Sequence, residues 1–215
     1  MIIAVDGPAG SGKSTISKLL AKELGLVYLD TGAMYRLFTL KMLKENVSFS
    51  DSDKINELLG NLNINIENGK FYLDDEDVSE EIRKTDVAEN VSKTAAIDEV
   101  REKMVSLQRE FSKSKNVILD GRDIGTVVFP EADMKIFLVA DPGERAERRF
   151  KELQAKGENI SLDSIYENIL KRDKIDSTRE NSPLKKANDA IEVDTTGKSI
   201  EEVKNIILNL YNNKR

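Results

Sequence analysis

The chain begins with a short apolar run that is followed by a helical pattern. Residues 2–5 are all apolar, and apolar residues then recur at helical spacing as far as Gly25, which is placed to end a helix: Ile16, Leu19, Leu20 and Leu24. Further short apolar runs lie at residues 26–29, 117–119 and 136–139, and a last strand is predicted around residues 191–193. Because helical patterns separate these runs, we predict an α/β fold with a five-stranded parallel sheet flanked by helices.

The middle of the chain has a different pattern. Leucine and isoleucine alternate with asparagine over residues 62–66, Asn68-Gly69 is a typical hairpin turn, and residues 71–73 resume the apolar pattern. Such alternation is typical of a strand with one covered face. We therefore predict a small antiparallel β insertion at about residues 60–85.

Two helices are predicted late in the chain. Residues 99–113 carry an apolar face that excludes Arg109, and the residues after Ser199 carry another such face. Ser199 and Glu202 have the spacing of a capping box, in which each side chain bonds to the backbone N–H of the other residue. The C-terminal helix is therefore predicted to begin next to Ser199.

Composition narrows the chemistry that this fold can perform. The 215 residues include no histidine and no cysteine, so a catalytic site has to use lysine, arginine, carboxylates, hydroxyls, backbone amides or a hard metal ion. No apolar run approaches the ~18 residues of a membrane span, and the apolar N-terminus meets Asp6 too early for a signal peptide. We expect one domain, residues 1–215, in the cytoplasm.

Charge is distributed unevenly along the chain. The net charge is −6, but residues 145–186 hold 11 Lys/Arg against 8 Asp/Glu. This excess of positive charge favours a pocket for a small polyanion over a nucleic-acid surface, and a solvated pair of helices is the alternative. We expect no nucleic-acid partner and no membrane partner.

The residues after the first predicted strand match the GxxxxGK[ST] phosphate-binding motif, or P-loop, and a helix is predicted directly after them. Glycines in such a loop allow backbone N–H groups to converge on phosphate oxygens at the positive end of the helix. Lys13 would reach the β- and γ-phosphates of a nucleotide, and the Ser14 hydroxyl would ligate Mg²⁺. The predicted nucleotide-binding residues are Gly7, Pro8, Ala9, Gly10, Ser11, Gly12, Lys13, Ser14 and Thr15.

This motif alone leaves open a transfer kinase, a GTPase-type switch, an ATPase motor and a non-catalytic nucleotide sensor. The sequence contains no NKxD tetrapeptide, which a guanine-specific switch requires. A motor needs coupling domains, for which 215 residues leave little room. A transfer kinase is therefore favoured, with the sensor as the alternative.

Two further segments follow predicted strands: LDTGAMYR at residues 29–36 and LDGRDIGTVVFP at residues 119–130. Ligands of α/β folds bind at the carboxyl ends of the strands, and each segment delivers an arginine there, Arg36 or Arg122. Two arginines that face the P-loop would form a second anion site. In the alternative, they form salt bridges with aspartates of the same segments.

With these segments, the chain resembles the bacterial cytidylate kinases, which are nucleoside monophosphate kinases. The resemblance runs from Ile2 to the C-terminal helix and includes KRDKIDSTRENSPL at residues 171–184. It implies a P-loop kinase fold in which the β insertion is the acceptor-binding lobe and residues from about 142 to 160 form a helical lid. It also implies transfer of the γ-phosphoryl group of ATP to CMP or dCMP, with Mg²⁺ as the cofactor.

The resemblance also assigns residues to the acceptor. The implied contacts are Ser92, Arg109 and Asp123 with cytosine, Tyr35, Arg172 and Asp176 with the sugar, and Arg36, Arg122 and Arg179 with the acceptor phosphate. A carboxylate can accept from the exocyclic amine of cytosine, which gives the first group chemical sense. Thr31 stands where a serine is common in the family and keeps the hydroxyl group for the acceptor.

Arginines of the lid helix are expected to approach the transferred phosphoryl group. Arg145 lies three and four residues before Arg148 and Arg149, so the three lie on one side of a helix. Like charges so placed repel unless an anion lies between them, and pairing with nearby glutamates is the alternative. The implied catalytic residues are Lys13, Arg122, Arg148 and Arg179, and Arg148 is also an expected ATP ligand.

The assigned chemistry needs no general base. The nucleophile is a phosphate oxygen of the acceptor, whose second ionisation near pH ~6 leaves it largely deprotonated at neutral pH. The absence of histidine and cysteine therefore agrees with the resemblance. We expect direct in-line transfer in a closed ternary complex, performed by a monomer.

Overall fold

The computed structural model describes residues 1–67, 69–113, 115–155 and 157–214. They form two compact units. The first unit consists of Met1–Asp30 and Ser112–Arg215, and the second of Thr31–Phe111. A single domain with an inserted lobe and a lid stays a prediction, and Lys156, within the predicted lid, lies outside the described residues.

Strands alternate with helices along most of the described chain. The strands are β1 (Ile2–Asp6), β2 (Val27–Asp30), β3 (Ile64–Glu67), β4 (Lys70–Leu73), β5 (Glu76–Asp77), β6 (Val117–Gly121), β7 (Met134–Val139) and β8 (Ile191–Asp194). The helices are α1 (Lys13–Leu24), α2 (Thr31–Lys44), α3 (Ser52–Gly60), α4 (Thr85–Thr94), α5 (Asp98–Ser112), α6 (Pro142–Ala155), α7 (Leu162–Thr178) and α8 (Ile200–Lys214).

The first unit contains the predicted five-stranded parallel sheet, with strand order β2-β6-β1-β7-β8. Central β1 pairs with β6 and with β7, so that Asp6 lies opposite Gly121 on one side and Phe137 on the other. Because every pairing is parallel, the carboxyl ends of the strands lie at one edge. The α/β fold predicted from the sequence is confirmed.

Helices α1 and α8 cover part of this sheet. Their buried apolar residues form one core with those of the strands: Ile3, Val5, Ile16, Leu20, Ala21, Ile118, Met134, Ile136, Leu138, Val193, Val203, Ile207 and Tyr211. Removal of this apolar surface from water is the main favourable term in forming the unit. The core thereby fixes the strand ends and the N-terminus of α1, which carries Lys13.

Both predicted ends of these helices are confirmed. Gly25 follows α1 in the left-handed region, with φ 66°, and its N–H donates to the Ala21 carbonyl. Before α8, the Ser199 N–H donates to Glu202 at 2.8 Å, and the Glu202 N–H donates to Ser199 Oγ at 3.2 Å. Local sequence therefore specifies where both helices begin or end.

The second unit contains the predicted antiparallel hairpin. β3 pairs with β4 so that Ile64 lies opposite Leu73 and Glu67 opposite Lys70, and the short strand β5 extends the sheet. Gly69 of the predicted turn has φ 78°, while Asn68 lies outside the described residues. A core shared by α2, β4 and α4 holds the unit together: Ala33, Leu37, Leu40, Phe71, Leu73, Val78, Ile82 and Val87.

Across the described ranges, no helix combines the length and the apolar character needed to cross a membrane.

Candidate active site

The P-loop joins β1 to α1, and glycine is required where it begins. A Cβ built on Gly7 would lie 2.1 Å from the carbonyl oxygen of Leu138 on β7. Gly7, Gly10 and Gly12 have φ values of 147°, 76° and 89°. Other residues rarely adopt these conformations, so the glycines determine the path of the loop. The loop ends at the N-terminus of α1, where backbone N–H groups favour an anion.

Lys13 is buried at the start of α1. Its Nζ donates to the Pro8 carbonyl oxygen at 2.6 Å, and Ser11 Oγ donates to the same oxygen at 3.0 Å. Burial lowers the pKa of Lys13 well below its usual value, and the positive charge of Arg122 lowers it further. A desolvated ammonium group close to a guanidinium favours the binding of an anion.

Asp120 connects the end of β6 to α1 and β2. Ser14 Oγ donates to its Oδ2 at 2.7 Å, and the Tyr28 hydroxyl donates to its Oδ1 at 2.6 Å. Burial raises the pKa of Asp120, and the charge of Asp30 raises it further. Hydroxyl and carboxylate oxygens are ligands that Mg²⁺ accepts, so this set fits a magnesium ion that also binds phosphate oxygens.

Asp6 fixes the segment that follows β6. Its carboxylate accepts from the backbone N–H groups of Ile124 and Gly125, both at 2.8 Å. These residues begin a π-helical turn, Ile124–Val128, directly after Asp123. Burial raises the pKa of Asp6 to about 6. Sequence reasoning does not single out Asp6, because its partners lie 118 and 119 residues away in the chain.

The predicted acceptor residues of the first unit form one charged cluster. Arg122 Nε donates to Asp176 Oδ2 at 2.9 Å. Arg179 lies 3.9 Å from Asp176 Oδ1 and 3.9 Å from Asp123 Oδ1, and its Nε donates to the Ser182 carbonyl at 2.7 Å. The cluster therefore contains two of the three predicted phosphate-binding arginines. It also contains Asp123, which is assigned to the base, and Asp176, which is assigned to the sugar.

Asp176 is the centre of this cluster. Burial by itself raises its pKa, but the charges of Arg122, Arg172 and Arg179 outweigh burial, and the pKa lies below its usual value. Arg172, the predicted sugar contact, is thus close enough to act electrostatically on Asp176. The carboxylate remains ionised at neutral pH and balances part of the arginine charge.

The arginines of α6 have different partners. Arg148 ion-pairs with Glu144 and donates to the Thr195 carbonyl at 2.7 Å. Arg149 ion-pairs with Glu152 at 2.9 Å. Pairing with nearby glutamates, the alternative set out from the sequence, therefore describes both arginines in this structure. Arg145 instead donates to a P-loop carbonyl, that of Ala9, at 2.8 Å.

The second unit carries the other predicted acceptor residues. Thr31, Tyr35 and Arg36 lie on α2, Ser92 lies on α4 and Arg109 on α5. Thr31, Tyr35 and Ser92 are buried, Arg36 is half-buried and Arg109 is exposed. The buried hydroxyl groups are placed for specific hydrogen bonds, whereas an exposed arginine is a weak candidate for reading a base.

Two buried threonines join the helices that carry Tyr35 and Ser92. Thr39 Oγ1 donates to the Tyr35 carbonyl at 2.8 Å and lies 2.9 Å from Thr94 Oγ1. Neither threonine is exposed to solvent. Because Thr39 belongs to α2 and Thr94 to α4, these hydroxyl groups help to fix the register of the two helices.

Arg101 on α5 is a site candidate that sequence reasoning does not single out. It is 2% exposed, and its guanidinium carbon lies 5.5 Å from the centre of the Tyr35 ring. Its Nη1 donates to the Ala95 carbonyl at 2.9 Å. One feature of the sequence could have identified it. Arg101 lies three residues before Met104, and this spacing puts an arginine on the apolar face of the helix.

A family model and two relatives that match this chain in sequence share one description. The family model described as cytidylate kinase matches residues 3–213. The cytidylate kinase of Fusobacterium nucleatum is 56% identical over 207 residues, which cover 96% of this chain and 95% of that protein. The cytidylate kinase of Clostridioides difficile is 54% identical over 203 residues, which cover 94% of each protein.

Solved structures with the same fold are more distant in sequence. Shikimate kinase from Bacteroides thetaiotaomicron has a TM-score of 0.51 and 13% identity, covering 99% of this chain and 98% of that one. Deoxyadenosine kinase from M. mycoides has a TM-score of 0.51 and 14% identity, covering all of both chains. These two similarities support the kinase fold alone. Since the family model matches almost the whole length and relatives are more than half identical, this chain belongs to the cytidylate kinase family.

Proposed function

We propose that this chain transfers the γ-phosphoryl group of ATP to CMP and to dCMP, giving CDP or dCDP and ADP. The observation that carries the proposal is that the P-loop contacts the end of β6, directly before the charged cluster. Ser14 donates to Asp120 at 2.7 Å, and Arg122, two residues after Asp120, forms an ion pair of 2.9 Å with Asp176. The positive charge of Arg122 also lowers the pKa of Lys13, after burial itself. A transfer enzyme has to hold two polyanions together, and cations from a P-loop and from a second strand end suit that task. A nucleotide sensor would need only the P-loop.

On the donor side, the loop from Gly7 to Thr15 binds the ATP phosphates through its backbone N–H groups and Lys13. Arg148 is the proposed further contact with ATP. Its side chain is 32% exposed despite the ion pair with Glu144, so an anion can reach it. Exchange of Glu144 for a phosphate oxygen would preserve a charge-assisted hydrogen bond.

Mg²⁺ is the proposed cofactor, and Ser14 is its proposed protein ligand. Asp120, which accepts from Ser14, would accept hydrogen bonds from water on the ion. Bound there, the ion would supply neutralisation of phosphate charge. Tyr28 and Ser14 hold the Asp120 carboxylate in one orientation for this role.

On the acceptor side, Arg36, Arg122 and Arg179 are proposed to hold the phosphate of CMP. Support comes from Arg122 and Arg179, because both lie against Asp176 rather than in bulk solvent. Preorganised guanidinium groups bind phosphate without a large loss of side-chain entropy. Thr31 is proposed to contribute a hydroxyl group to the acceptor, and the proposed sugar contacts are Tyr35, Arg172 and Asp176.

The base is proposed to be read by Ser92, Asp123 and one arginine of α5. Asp123 is 4% exposed, and a buried carboxylate can accept from the cytosine amine. The family resemblance assigns the arginine contact to Arg109. Arg101 is the second candidate, and its burial against Tyr35, a proposed sugar contact, favours it over the exposed Arg109.

The proposed mechanism is direct in-line transfer. A phosphate oxygen of CMP attacks the γ-phosphorus of ATP, and the bond from that phosphorus to the bridging oxygen of ADP breaks. The acceptor oxygen is already deprotonated near neutral pH, so the protein removes no proton. Lys13, Arg122 and Arg179 act by aligning the two nucleotides and by stabilising the charge on the transferred group.

A coupled assay of ADP release with ATP and Mg²⁺ tests the proposal against CMP, dCMP, UMP, AMP, GMP and dTMP, with an acceptor-free control. Turnover dominated by CMP and dCMP is expected. Preference for another nucleotide would leave a kinase but remove the base-reading assignment. ATP binding without acceptor-dependent turnover would favour the sensor, and a phosphoryl group trapped on the protein would exclude direct transfer.

A further inference from the structure

Arg145 is a buried arginine near the start of α6. Its side chain is 3% exposed, and it donates to three acceptors of the first unit. Nη1 donates to the Ala9 carbonyl at 2.8 Å, Nε to the Ala140 carbonyl at 3.1 Å and Nη2 to Asp173 Oδ2 at 2.6 Å. A buried guanidinium held by three such acceptors has a fixed position and orientation.

One of these acceptors belongs to the P-loop. A trans peptide unit is planar, so the Ala9 carbonyl and the Gly10 N–H point in opposite directions. The hydrogen bond from Arg145 therefore turns the Gly10 N–H away from the guanidinium and keeps this donor available to an anion in the loop. A Cβ built on Gly10 would also lie only 3.2 Å from the Cβ of Arg145, so the arginine packs closely against the loop.

Asp173 holds Arg145 from the neighbouring helix α7. The two helices are already packed through Ala146, Leu153, Ile165 and Ile169, so the ion pair is not needed to bring them together. The ion pair instead fixes the orientation of the Arg145 side chain, because a carboxylate holds the plane of the guanidinium group that donates to it. Loss of Asp173 would leave Arg145 with two carbonyl acceptors but without its charged partner.

From these contacts we infer that Arg145 is a positioning residue for ATP binding. It sets the orientation of the Ala9–Gly10 peptide, and Asp173 orients Arg145. Arg145 thus acts through the loop. The sequence instead predicts that it approaches the transferred phosphoryl group. The inference rests on the proposed use of ATP, but it holds whichever nucleotide is the acceptor.

The test compares Arg145→Lys, Asp173→Asn, the double variant and Arg83→Lys, a matched control in an exposed ion pair with Glu80. Dissociation constants for Mg²⁺-ATP and for CMP are measured separately by calorimetry on folded protein. We expect the ATP constant to rise about tenfold in Arg145→Lys, as for the loss of one charge-assisted hydrogen bond. We expect the CMP constant to stay within about twofold, because the three acceptors of Arg145, in Ala9, Ala140 and Asp173, include no proposed CMP contact. Arg83→Lys should change neither constant.

Asp173→Asn should raise the ATP constant by a smaller factor, and the double variant should resemble Arg145→Lys, because Asp173 acts through Arg145. Equal weakening of ATP and CMP, a lower unfolding temperature with unchanged ATP binding, or additive effects of the two substitutions would each overturn the inference. If Arg145→Lys does not fold, unchanged ATP binding by Asp173→Asn overturns it alone. A wild-type protein that binds ATP but does not phosphorylate CMP would remove the proposed function, while the ATP measurements would still decide on Arg145.

Discussion

Arg122 and Asp176 are 54 residues apart in the chain, and their side chains form an ion pair of 2.9 Å. Asp176 is 4% exposed in its side chain and also lies 3.9 Å from Arg179. One buried carboxylate therefore keeps two guanidinium groups near each other despite their repulsion. The pair links the segment after β6 to α7.

Arg122→Ala should weaken the binding of the acceptor, CMP, more than the binding of the donor, ATP. We expect the KM for CMP to rise by at least about tenfold and kcat to fall, because a charge-assisted phosphate contact is lost. The KM for ATP should change little. Steady-state kinetics with each substrate varied checks this, with Arg83→Ala as an exposed control. Unchanged acceptor saturation and turnover would contradict the role of Arg122.

Asp6 should make stability depend on pH. Its pKa is about 6 when folded against a usual value of 3.8, so the folded state binds the proton more tightly. The contribution of Asp6 to stability is thus fully present below about pH 4 and is lost as the pH rises through 6. Between pH 5 and pH 7, wild type should lose about 1 kcal/mol of unfolding free energy relative to Asp6→Asn, which cannot titrate there. Urea unfolding of both proteins at each pH measures this difference, and a constant difference would contradict it.

Arg101 and Arg109 can be separated by substitution with methionine. We expect Arg101→Met to raise the KM for CMP by about tenfold or more, since a buried charged donor is lost. Arg109→Met should have the smaller effect because its side chain is exposed. Acceptor kinetics of both variants, corrected for the folded fraction, provide the measurement. A larger rise of the KM for CMP in Arg109→Met than in Arg101→Met would instead support Arg109 as the base contact.

Gly7→Ala and Gly25→Ala form a matched pair with positive φ values. Ala at 25 would meet no atom within 4 Å, so it should cost only about 1 kcal/mol of left-handed strain. Ala at 7 would place its Cβ 2.1 Å from the Leu138 carbonyl oxygen, so the loop or β7 has to shift. We expect a larger loss of stability and a loss of ATP binding at 7 only. Equal thermal unfolding and equal ATP affinity would contradict the close approach.

The sequence predicts the parallel sheet and the P-loop because both are local patterns. Apolar runs identify the strands, and Gly25 and Ser199 mark helix boundaries within a few residues of their partners. The short elements α3 and β5 are not predicted. α3 has nine residues and β5 has two. Elements this short contain too few residues for a clear periodic pattern of apolar positions.

The site is predicted less completely, because its contacts join distant parts of the chain. The arginines and carboxylates after β6 and on α7 are identified through the family resemblance, and the structure places them in one cluster. The bond from Arg145 to Ala9 joins residues 136 apart, and spacing within a helix says nothing about such a partner. Arg101 is overlooked because the sequence does not show which residues surround it. A single charge on an apolar helical face does not by itself indicate a binding role.

The hydroxyl groups of Thr39 and Thr94 have a consequence for how acceptor preference can change. They lie 2.9 Å apart between the helix of Tyr35 and the helix of Ser92, and neither is among the proposed nucleotide contacts. We expect a substitution at either position to shift one helix against the other and thereby to change which nucleobase the acceptor site tolerates. Laboratory selection for a new acceptor should therefore recover changes at these two threonines as well as at the contact residues.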